Sequence, residues 1–198
     1  MSERRQLFPM MLNLAGRRCL VVGAGEVGEG KIRGLLASGA AVSVVAPTAT
    51  PRVLEWARSG EVEYRQKAFE PDDLEGAFLV VAATSVAEVN HHVYAEARRR
   101  RVLCNVVDDP EHCDFFYPAV VRRGALQIAI STSGVSPAFA RRLRQALEAQ
   151  FGPEYADWLD ELSRRRQEIL RTVADPVKRR LLLEELAASS PLSRRKRE

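Results

Sequence analysis

The chain has 198 residues, 46% of them hydrophobic, and 30 lysines and arginines against 26 aspartates and glutamates give it a formal net charge of +4. This length suits one typical domain and a smaller second one. No apolar run approaches a membrane span, and the N-terminus lacks the apolar core of a signal peptide, which predicts a cytoplasmic protein without a membrane segment. The basic stretches contain no interleaved aromatic residues and match no nucleic-acid module, so no nucleic-acid partner is expected.

Apolar runs alternate with helical stretches over the first 110 residues. Five runs have the length and composition of buried strands: 19–22, 41–46, 62–66, 78–82 and 103–107. Helices are predicted between them at 26–38, 52–58 and 87–100. This alternation predicts an α/β fold of Rossmann type, in which helices cover both faces of a parallel sheet. Pro47 is expected to end the second strand, and Cys19 and Cys104 are expected to be small core residues.

A glycine turn follows the first predicted strand. Gly23, Gly25 and Gly28 have the G-x-G-x-x-G spacing of a dinucleotide-binding turn, with a strand before it and a helix after it. In such a turn the first glycine allows the bend, the second lets the backbone approach a pyrophosphate, and the third lets the helix pack against the strand. The helix N-terminus adds unpaired N–H groups and a partial positive charge. The pattern therefore predicts a nucleotide site, with a purely structural glycine turn as the alternative.

Ligands of open parallel sheets bind beyond the carboxyl ends of the strands. Pro47-Thr48, Ala83-Thr84 and Asp108 occupy such positions. A carboxylate at the position of Asp108 can act as a general base or as an electrostatic partner in proton removal, and a turn residue is the alternative. The acidic residue that normally binds the ribose is missing after the second strand. Because Arg52 could meet a 2′-phosphate, the residues alone leave NAD and NADP open.

The histidines give little support for a metal site. His91 and His92 are neighbours on a predicted helix and point to different faces, which is typical of a solvated surface. His112 lies beside Cys113 and near two aspartates, which makes it a better candidate. Since no ligand spacing characteristic of a metal site accompanies it, no metal site is predicted.

The chain after residue 114 has a different texture. Two apolar runs, 115–121 and 126–131, predict a hairpin, and Ser136-Pro137 predicts the start of a helix that ends near residue 151. Two further helices and a disordered charged tail from 189 to 198 are expected. Three domains are predicted: a nucleotide-binding domain over residues 1–114, a dimerisation hairpin and helix over 115–152, and a helical C-terminal region over 153–198. The appended apolar hairpin favours a homodimer.

Five arginines flank the small-residue loop that follows the hairpin: Arg122, Arg123, Arg141, Arg142 and Arg144. Arginine binds carboxylates through two parallel hydrogen bonds, so a polycarboxylate substrate would give this cluster a role. The alternative is a solvated helix face.

Two segments resemble motifs of the siroheme-synthase N-terminal family. Residues 104–110, Cys-Asn-Val-Val-Asp-Asp-Pro, are similar to its "CNVVDxP" motif, with Phe115 and Pro118-Ala119 following. Residues 130–138 resemble its "ISTxGxSPA" loop. The resemblance covers most of residues 7–150, including the glycine turn and the Val-Ala-Pro at the end of the second strand.

The resemblance implies an NAD-dependent precorrin-2 dehydrogenase. NAD would accept a hydride from precorrin-2, a proton would be lost, and sirohydrochlorin would form on the way to siroheme. A homodimer with an intertwined hairpin and helix domain is also implied. One alternative is a bifunctional enzyme that also inserts Fe²⁺ into sirohydrochlorin. A more remote alternative is a non-enzymatic NAD(H)-binding sensor.

The resemblance and the strand-end rule together assign candidate residues. The catalytic residue is Asp108. Cofactor contacts are expected from the glycine turn and the ends of the second and fourth strands: Gly23, Gly25, Glu26, Val27, Gly28, Pro47, Thr48, Ala83 and Thr84. Substrate contacts are expected from Asn105, Ser131, Thr132, Ser133, Gly134 and Ser136. Thr132 falls where some family members carry a modifiable serine, which leaves its modification open.

Overall fold

The computed structural model describes residues 6–188 and 191. The chain divides into two compact units: a sheet unit, Phe8–Tyr117, and a hairpin unit, whose described residues are 6–7, 118–188 and 191. The sheet unit contains five parallel strands in the order β3-β2-β1-β4-β5. The predicted Rossmann-type α/β class is confirmed. The predicted domain boundaries at 114 and 152 stay predictions.

The elements of the sheet unit alternate as the sequence predicts. They are β1 (Arg18–Ala24), α1 (Glu26–Leu36), β2 (Ala41–Ala49), α2 (Pro51–Arg58), β3 (Val62–Arg65), a 3-10 helix (Pro71–Leu74), β4 (Leu79–Ala82), α3 (Ala87–Arg100), β5 (Leu103–Val106) and a second 3-10 helix (Pro110–His112). The strand order reverses at β1, which places the switch point between β1 and β4. Ligands of this fold bind in the crevice beyond the strand ends at that point.

The central strand β1 is buried on both faces, so its alternate side chains enter two different cores. Cys19 and Val21 pack with residues of α1 and α2, whereas Leu20 and Val22 pack with residues of α3. This double burial explains why the strand is a continuous apolar run. Cys104 is also fully buried, which confirms both cysteines as core residues.

Strand β2 is longer than expected, because Pro47 does not end it. Val45 still pairs with Val22, but the next pair is Ala49 with Ala24, so three residues of β2 lie opposite one residue of β1. Pro47 falls within this irregularity. A proline lacks the N–H needed for a ladder hydrogen bond and is tolerated at bulges. The strand therefore continues past the proline and ends at Ala49.

The described part of the hairpin unit contains two antiparallel strands and three helices. The elements are β6 (Ala119–Arg123), β7 (Leu126–Ile130), α4 (Pro137–Gln150), α5 (Glu154–Thr172) and α6 (Pro176–Ala188). Ser136 caps α4 as predicted, since its hydroxyl accepts a hydrogen bond from Phe139 N at 3.2 Å. A small core of Val121, Ile130 and Ala140 joins the hairpin to α4. The tail predicted to be disordered lies outside the described residues, apart from Pro191.

The first hairpin strand begins later than expected, at Ala119 rather than near residue 115. Phe115 packs against the core of the sheet unit, and its carbonyl accepts a hydrogen bond from Asn105 Nδ2 at 2.8 Å. These contacts tie the segment before the hairpin to β5. Among the described helices, none has both the length and the apolar character needed to cross a membrane.

The buried cysteines generate a prediction about thiol reactivity. Burial raises the pKa of Cys19 from 9.0 to about 11 and that of Cys104 to about 12. At pH 8 we expect iodoacetamide to modify both at least about a hundredfold more slowly in the native protein than in denaturant, because the thiolate fraction falls by that factor. Mass spectrometry after timed quenching measures this, with the less buried Cys113 as the internal reference.

The same pKa shifts predict the pH dependence of stability. Because their pKa values are raised, the thiols hold their protons more tightly in the native protein than in the unfolded chain. Their contribution to the free energy of unfolding is therefore fully present below pH 9 and is lost as the pH rises through 11 to 12. Both expectations depend on the burial of these thiols. Equal rates of iodoacetamide modification in native and denatured protein would contradict that burial.

Candidate functional site

The turn between β1 and α1 depends on a glycine at position 23. Gly23 has φ of 103°, a conformation that side chains rarely adopt. A Cβ at this position would lie 2.5 Å from Ala83 O and 2.9 Å from Thr84 N. Because Gly23 has no side chain, the end of β1 can contact the loop after β4. This contact brings the two strand ends together at the switch point.

The other two glycines of the turn have different environments. A Cβ on Gly28 would lie 2.2 Å from Gly23 O, so α1 can pack against the turn only without a side chain there. A Cβ on Gly25 would meet nothing within 4 Å. Gly25 is the N-cap of α1 and has no side chain to accept from the first-turn N–H groups. The backbone at Gly25 is thus open to an anionic ligand, as a pyrophosphate requires.

The end of β2 is fastened to the glycine turn by Thr50. Its backbone N donates to Ala24 O at 3.0 Å, and its hydroxyl donates to Glu29 Oε2 at 2.9 Å. The same hydroxyl accepts from Val53 N and caps α2. Thr50 was not predicted, although Thr50-Pro51 has the N-cap and proline pattern that revealed the start of α4. Thr50 thus ties the chain that follows the exposed Pro47 and Thr48 to the glycine turn and to α1.

The loop after β4 is clamped by Asn90, which is 7% exposed. Asn90 Oδ1 accepts from Thr84 N at 3.2 Å and from Thr84 Oγ1 at 2.8 Å, and Asn90 Nδ2 donates to Thr84 O at 3.0 Å. These bonds use both polar ends of the amide on one residue. They hold Ala83 and Thr84 against the glycine turn, which the sequence could not specify.

Asp108 stands just beyond β5 in an unusual backbone conformation. Its φ is 61°, in the left-handed region that aspartate and asparagine tolerate better than most residues, and it is exposed. Strained backbone of this kind clusters at functional sites. Asn105, on β5, is buried and donates its amide to Phe115 O and to Cys113 Sγ. Its predicted contact with substrate stays a prediction.

Lys31 is a candidate that the sequence reasoning missed. Lys31 is the third residue after Gly28 in α1, and its Nζ lies 3.9 Å from the centre of the Tyr117 ring. Burial lowers the pKa of Lys31, while the nearby charge of Asp108 acts in the opposite direction. The spacing of three from Gly28 is the signal that could have placed it on the turn side of α1. The charge of Asp108 thus acts on the ammonium group of Lys31, although no direct ion pair joins them among the described contacts.

Comparison with known proteins agrees with this geometry. A family model described as NAD(P)-binding matches residues 10–119, and one described as sirohaem biosynthesis protein, central, matches residues 123–150. A solved structure titled SirC, precorrin-2 dehydrogenase, is 30% identical, has a TM-score of 0.81, and covers 96% of each chain. The chain belongs to the precorrin-2 dehydrogenase and siroheme synthase family.

Two curated siroheme synthases to which the chain is similar are longer than the chain. Siroheme synthase 1 of Aeromonas hydrophila is 37% identical over 94% of the chain, and siroheme synthase of Photorhabdus laumondii is 43% identical over 72%. The chain spans 40% of the first relative and 30% of the second.

The predicted cofactor residues of this family member meet within the sheet unit. The glycine turn, the loop after β4 and the end of β2 are joined by the contacts described above, and Glu26 and Val27 are exposed in the first turn of α1. Their contacts with a cofactor stay predictions. The resemblance drawn from the sequence is confirmed.

The predicted substrate loop of the family lies in the hairpin unit and is ordered by its own hydroxyls. Ser131 Oγ accepts from Ser133 N at 3.1 Å, and Thr132 Oγ1 accepts from Ser136 N at 3.1 Å. Ser133 and Gly134 have φ of 50° and 83°. The side chains thus shape the loop backbone. Substrate binding by this loop stays a prediction.

The five arginines do not share one environment. Arg123 donates to Phe151 O at 2.8 Å and to Glu148 O at 3.1 Å, so it satisfies carbonyls at the end of α4. Arg144 pairs with Glu148. The other three, Arg122, Arg141 and Arg142, are exposed. The structural role of two of them was not visible from spacing alone.

The two neighbouring histidines are both exposed, as expected of a solvated surface, but they differ in their contacts. His92 is exposed beside the Phe69 ring, whereas His91 Nε2 lies 3.1 Å from Asp109 Oδ2. His112 Nδ1 lies 2.7 Å from the same oxygen. Burial alone would raise the pKa of Asp109, but these two histidines outweigh it and hold the pKa below its usual range. The sequence grouped His112 with the aspartates and missed His91.

Proposed function

We propose that the chain is an NAD-dependent precorrin-2 dehydrogenase that forms sirohydrochlorin on the way to siroheme. The observation that carries the proposal is the open backbone of Gly25 at the switch point of the sheet, with Asp108 beyond β5 of the same sheet. The similarity to the SirC precorrin-2 dehydrogenase over 96% of both chains supports the same reaction.

The residues of the turn fit a dinucleotide. The N-terminus of α1 presents N–H groups and a partial positive charge, and Gly25 leaves room for a pyrophosphate to approach them. We infer NAD rather than NADP, because Arg52, the residue that could meet a 2′-phosphate, donates to Glu55 Oε2 at 2.8 Å and lies over the Trp56 ring. Its guanidinium is therefore already engaged.

The bound nicotinamide would accept the hydride of precorrin-2, and the protein must orient the substrate and remove a proton. The Asp108 carboxylate is our candidate for taking the proton or supporting its loss. Lys31 provides a positive charge near Asp108 and can hold a carboxylate of the macrocycle. The ring of Tyr117 contacts the ammonium group of Lys31.

A homodimer is part of the proposal. Val135, Phe139 and Leu143 are 68%, 57% and 37% exposed, and the last two are four positions apart on one face of α4. An apolar face of this kind is typical of an association surface. Precorrin-2 would be the small-molecule partner, and we place the enzyme in the cytoplasm without nucleic acid or membrane partners.

The cofactor site is tested by two glycine variants. We expect Gly25→Ala to weaken NAD binding at least about tenfold, because the added methyl group keeps the pyrophosphate from the backbone N–H groups. A tenfold loss corresponds to about one charge-assisted hydrogen bond, and the protein should still fold, since an added Cβ meets nothing within 4 Å. Gly30→Ala, on the same helix and also with nothing within 4 Å of an added Cβ, should leave NAD affinity unchanged. Isothermal titration calorimetry measures both affinities. Equal affinities in the two variants would count against the assigned pyrophosphate position.

The role of Asp108 is tested with Asp108→Asn, which preserves a residue suited to positive φ. We expect turnover of precorrin-2 to fall at least about tenfold, because a positioned base contributes about 10²–10⁴. NAD affinity should not change. Glu111→Gln, an exposed acid three residues away, serves as the control. Near-native turnover of Asp108→Asn under anaerobic conditions would remove Asp108 from the proposed chemistry.

The dimer is tested by charge on the apolar face of α4. We expect the wild-type chain to sediment as a dimer and the double variant Phe139→Glu, Leu143→Glu as a monomer. Gln145→Glu adds a single negative charge on another face of that helix and should remain dimeric. Sedimentation velocity at micromolar concentration gives the result, and a monomeric wild-type chain would refute the dimer.

Iron insertion remains a prediction from the sequence resemblance. Anaerobic incubation of the chain with precorrin-2 and NAD, followed by Fe²⁺, separates the two reactions by the absorption of the macrocycle. Oxidation without faster iron insertion than in a protein-free control would leave the dehydrogenase alone. NAD binding without oxidation would favour the sensor.

A further inference from the structure

Three side chains of the sheet unit form a His–Asp–His cluster, consisting of His91, Asp109 and His112. Asp109 Oδ2 lies 3.1 Å from His91 Nε2 and 2.7 Å from His112 Nδ1. One ligand atom from each of the three residues lies within 4.8 Å of the other two. Within the described residues, no other group of three or more histidine, cysteine, aspartate or glutamate side chains comes together in this way.

The fold holds these side chains in place from two directions. Asp109 is the N-cap of the second 3-10 helix, and His112 N donates to Asp109 O at 3.1 Å, so both residues belong to one tight turn. His91 reaches the turn from α3. The ring of Tyr94 packs edge-on against His112 with centroids 4.7 Å apart, and the His91 and His112 rings are 4.6 Å apart.

We propose that the His–Asp–His cluster is a binding site for a divalent first-row transition metal ion. A tetrahedral ion with bonds of about 2.0 Å holds its ligand atoms about 3.3 Å apart. The two distances from Asp109 Oδ2 are already close to that separation. A metal ion can therefore replace the two hydrogen bonds by small movements of the side chains.

The ligand set selects a class of ion. Imidazole nitrogens favour zinc, iron, cobalt, nickel and copper ions, whereas calcium and magnesium prefer sites made wholly of oxygen ligands. The side chains of His91, Asp109 and His112 are 53%, 28% and 33% exposed. Solvent therefore has access, and an ion held by three protein ligands keeps at least one coordination position for water or another small ligand.

The site is adjacent to the proposed catalytic centre but does not depend on it. Asp109 follows Asp108 directly, so the ion would bind beyond the end of β5. Metal binding can be measured without precorrin-2 or NAD. Failure of the dehydrogenase proposal would therefore leave this inference standing, and its own failure would leave the dehydrogenase intact.

The test is a titration of the full chain with Co²⁺, followed by visible absorption, in a buffer that contains a phosphine reductant. We expect the wild-type chain to bind one ion saturably with bands of nitrogen-coordinated cobalt. His91→Ala should weaken binding at least about tenfold, since even residues behind metal ligands contribute 10- to 100-fold. His92→Ala is the matched control: it is the next residue on the same helix, is outside the cluster, and should bind as the wild-type chain does.

Thermal unfolding gives a second measurement that does not depend on the spectrum. Zn²⁺ should raise the Tm of the wild-type chain and of His92→Ala, because an ion that binds only the native state stabilises it. His91→Ala should not respond. His112→Gln replaces the other imidazole and should behave in the same way, which guards against a folding defect in either single variant.

Two results would overturn the proposal. One is the absence of saturable Co²⁺ binding by the wild-type chain, which would make the cluster a hydrogen-bonded tie between α3 and the turn after β5. The other is equal binding by the wild-type chain, His91→Ala and His112→Gln, which would place the bound ion elsewhere on the chain.

Discussion

The close approach of main-chain atoms around Gly23 is the constraint on which the site depends. The space that a Cβ would need at Gly23 is occupied by the carbonyl of Ala83, and the space at Gly28 is occupied by the carbonyl of Gly23 itself. Strand β1, helix α1 and the loop after β4 are therefore packed to backbone contact. This contact places the N-terminus of α1 at the switch point, and every other proposed cofactor contact is positioned relative to it.

The parallel sheet was predictable because a strand that is buried on both faces has a recognisable amino-acid sequence. Runs such as Cys19–Val22 are apolar at every position when alternate side chains enter different cores. The start of α4 was predictable for a similar reason, since Ser136-Pro137 encodes a cap locally. Pro47 misled because a local rule for strand ends was overridden by a register shift between β1 and β2, which is a property of the pair.

The site was predictable where a backbone demand selects a residue type, and less so where two distant segments meet. The glycines and the strand-end position of Asp108 could be read from spacing. The Asn90 clamp, the bond from Thr50 to Glu29 and the position of Lys31 over Tyr117 each join segments whose contact is set by tertiary packing. His91 was missed for the same reason, because its partner is 18 residues away.

The candidate cofactor cradle is made largely from the main chain. Its closest contacts involve peptide atoms of the glycine turn and of the loop after β4, and Gly25 offers only backbone to a ligand. A surface of this kind has few side chains whose replacement would alter its shape, apart from the glycines themselves. Most side chains of the protein can therefore be replaced without changing the shape of the cradle. This agrees with a TM-score of 0.81 to a structure that is only 30% identical in sequence.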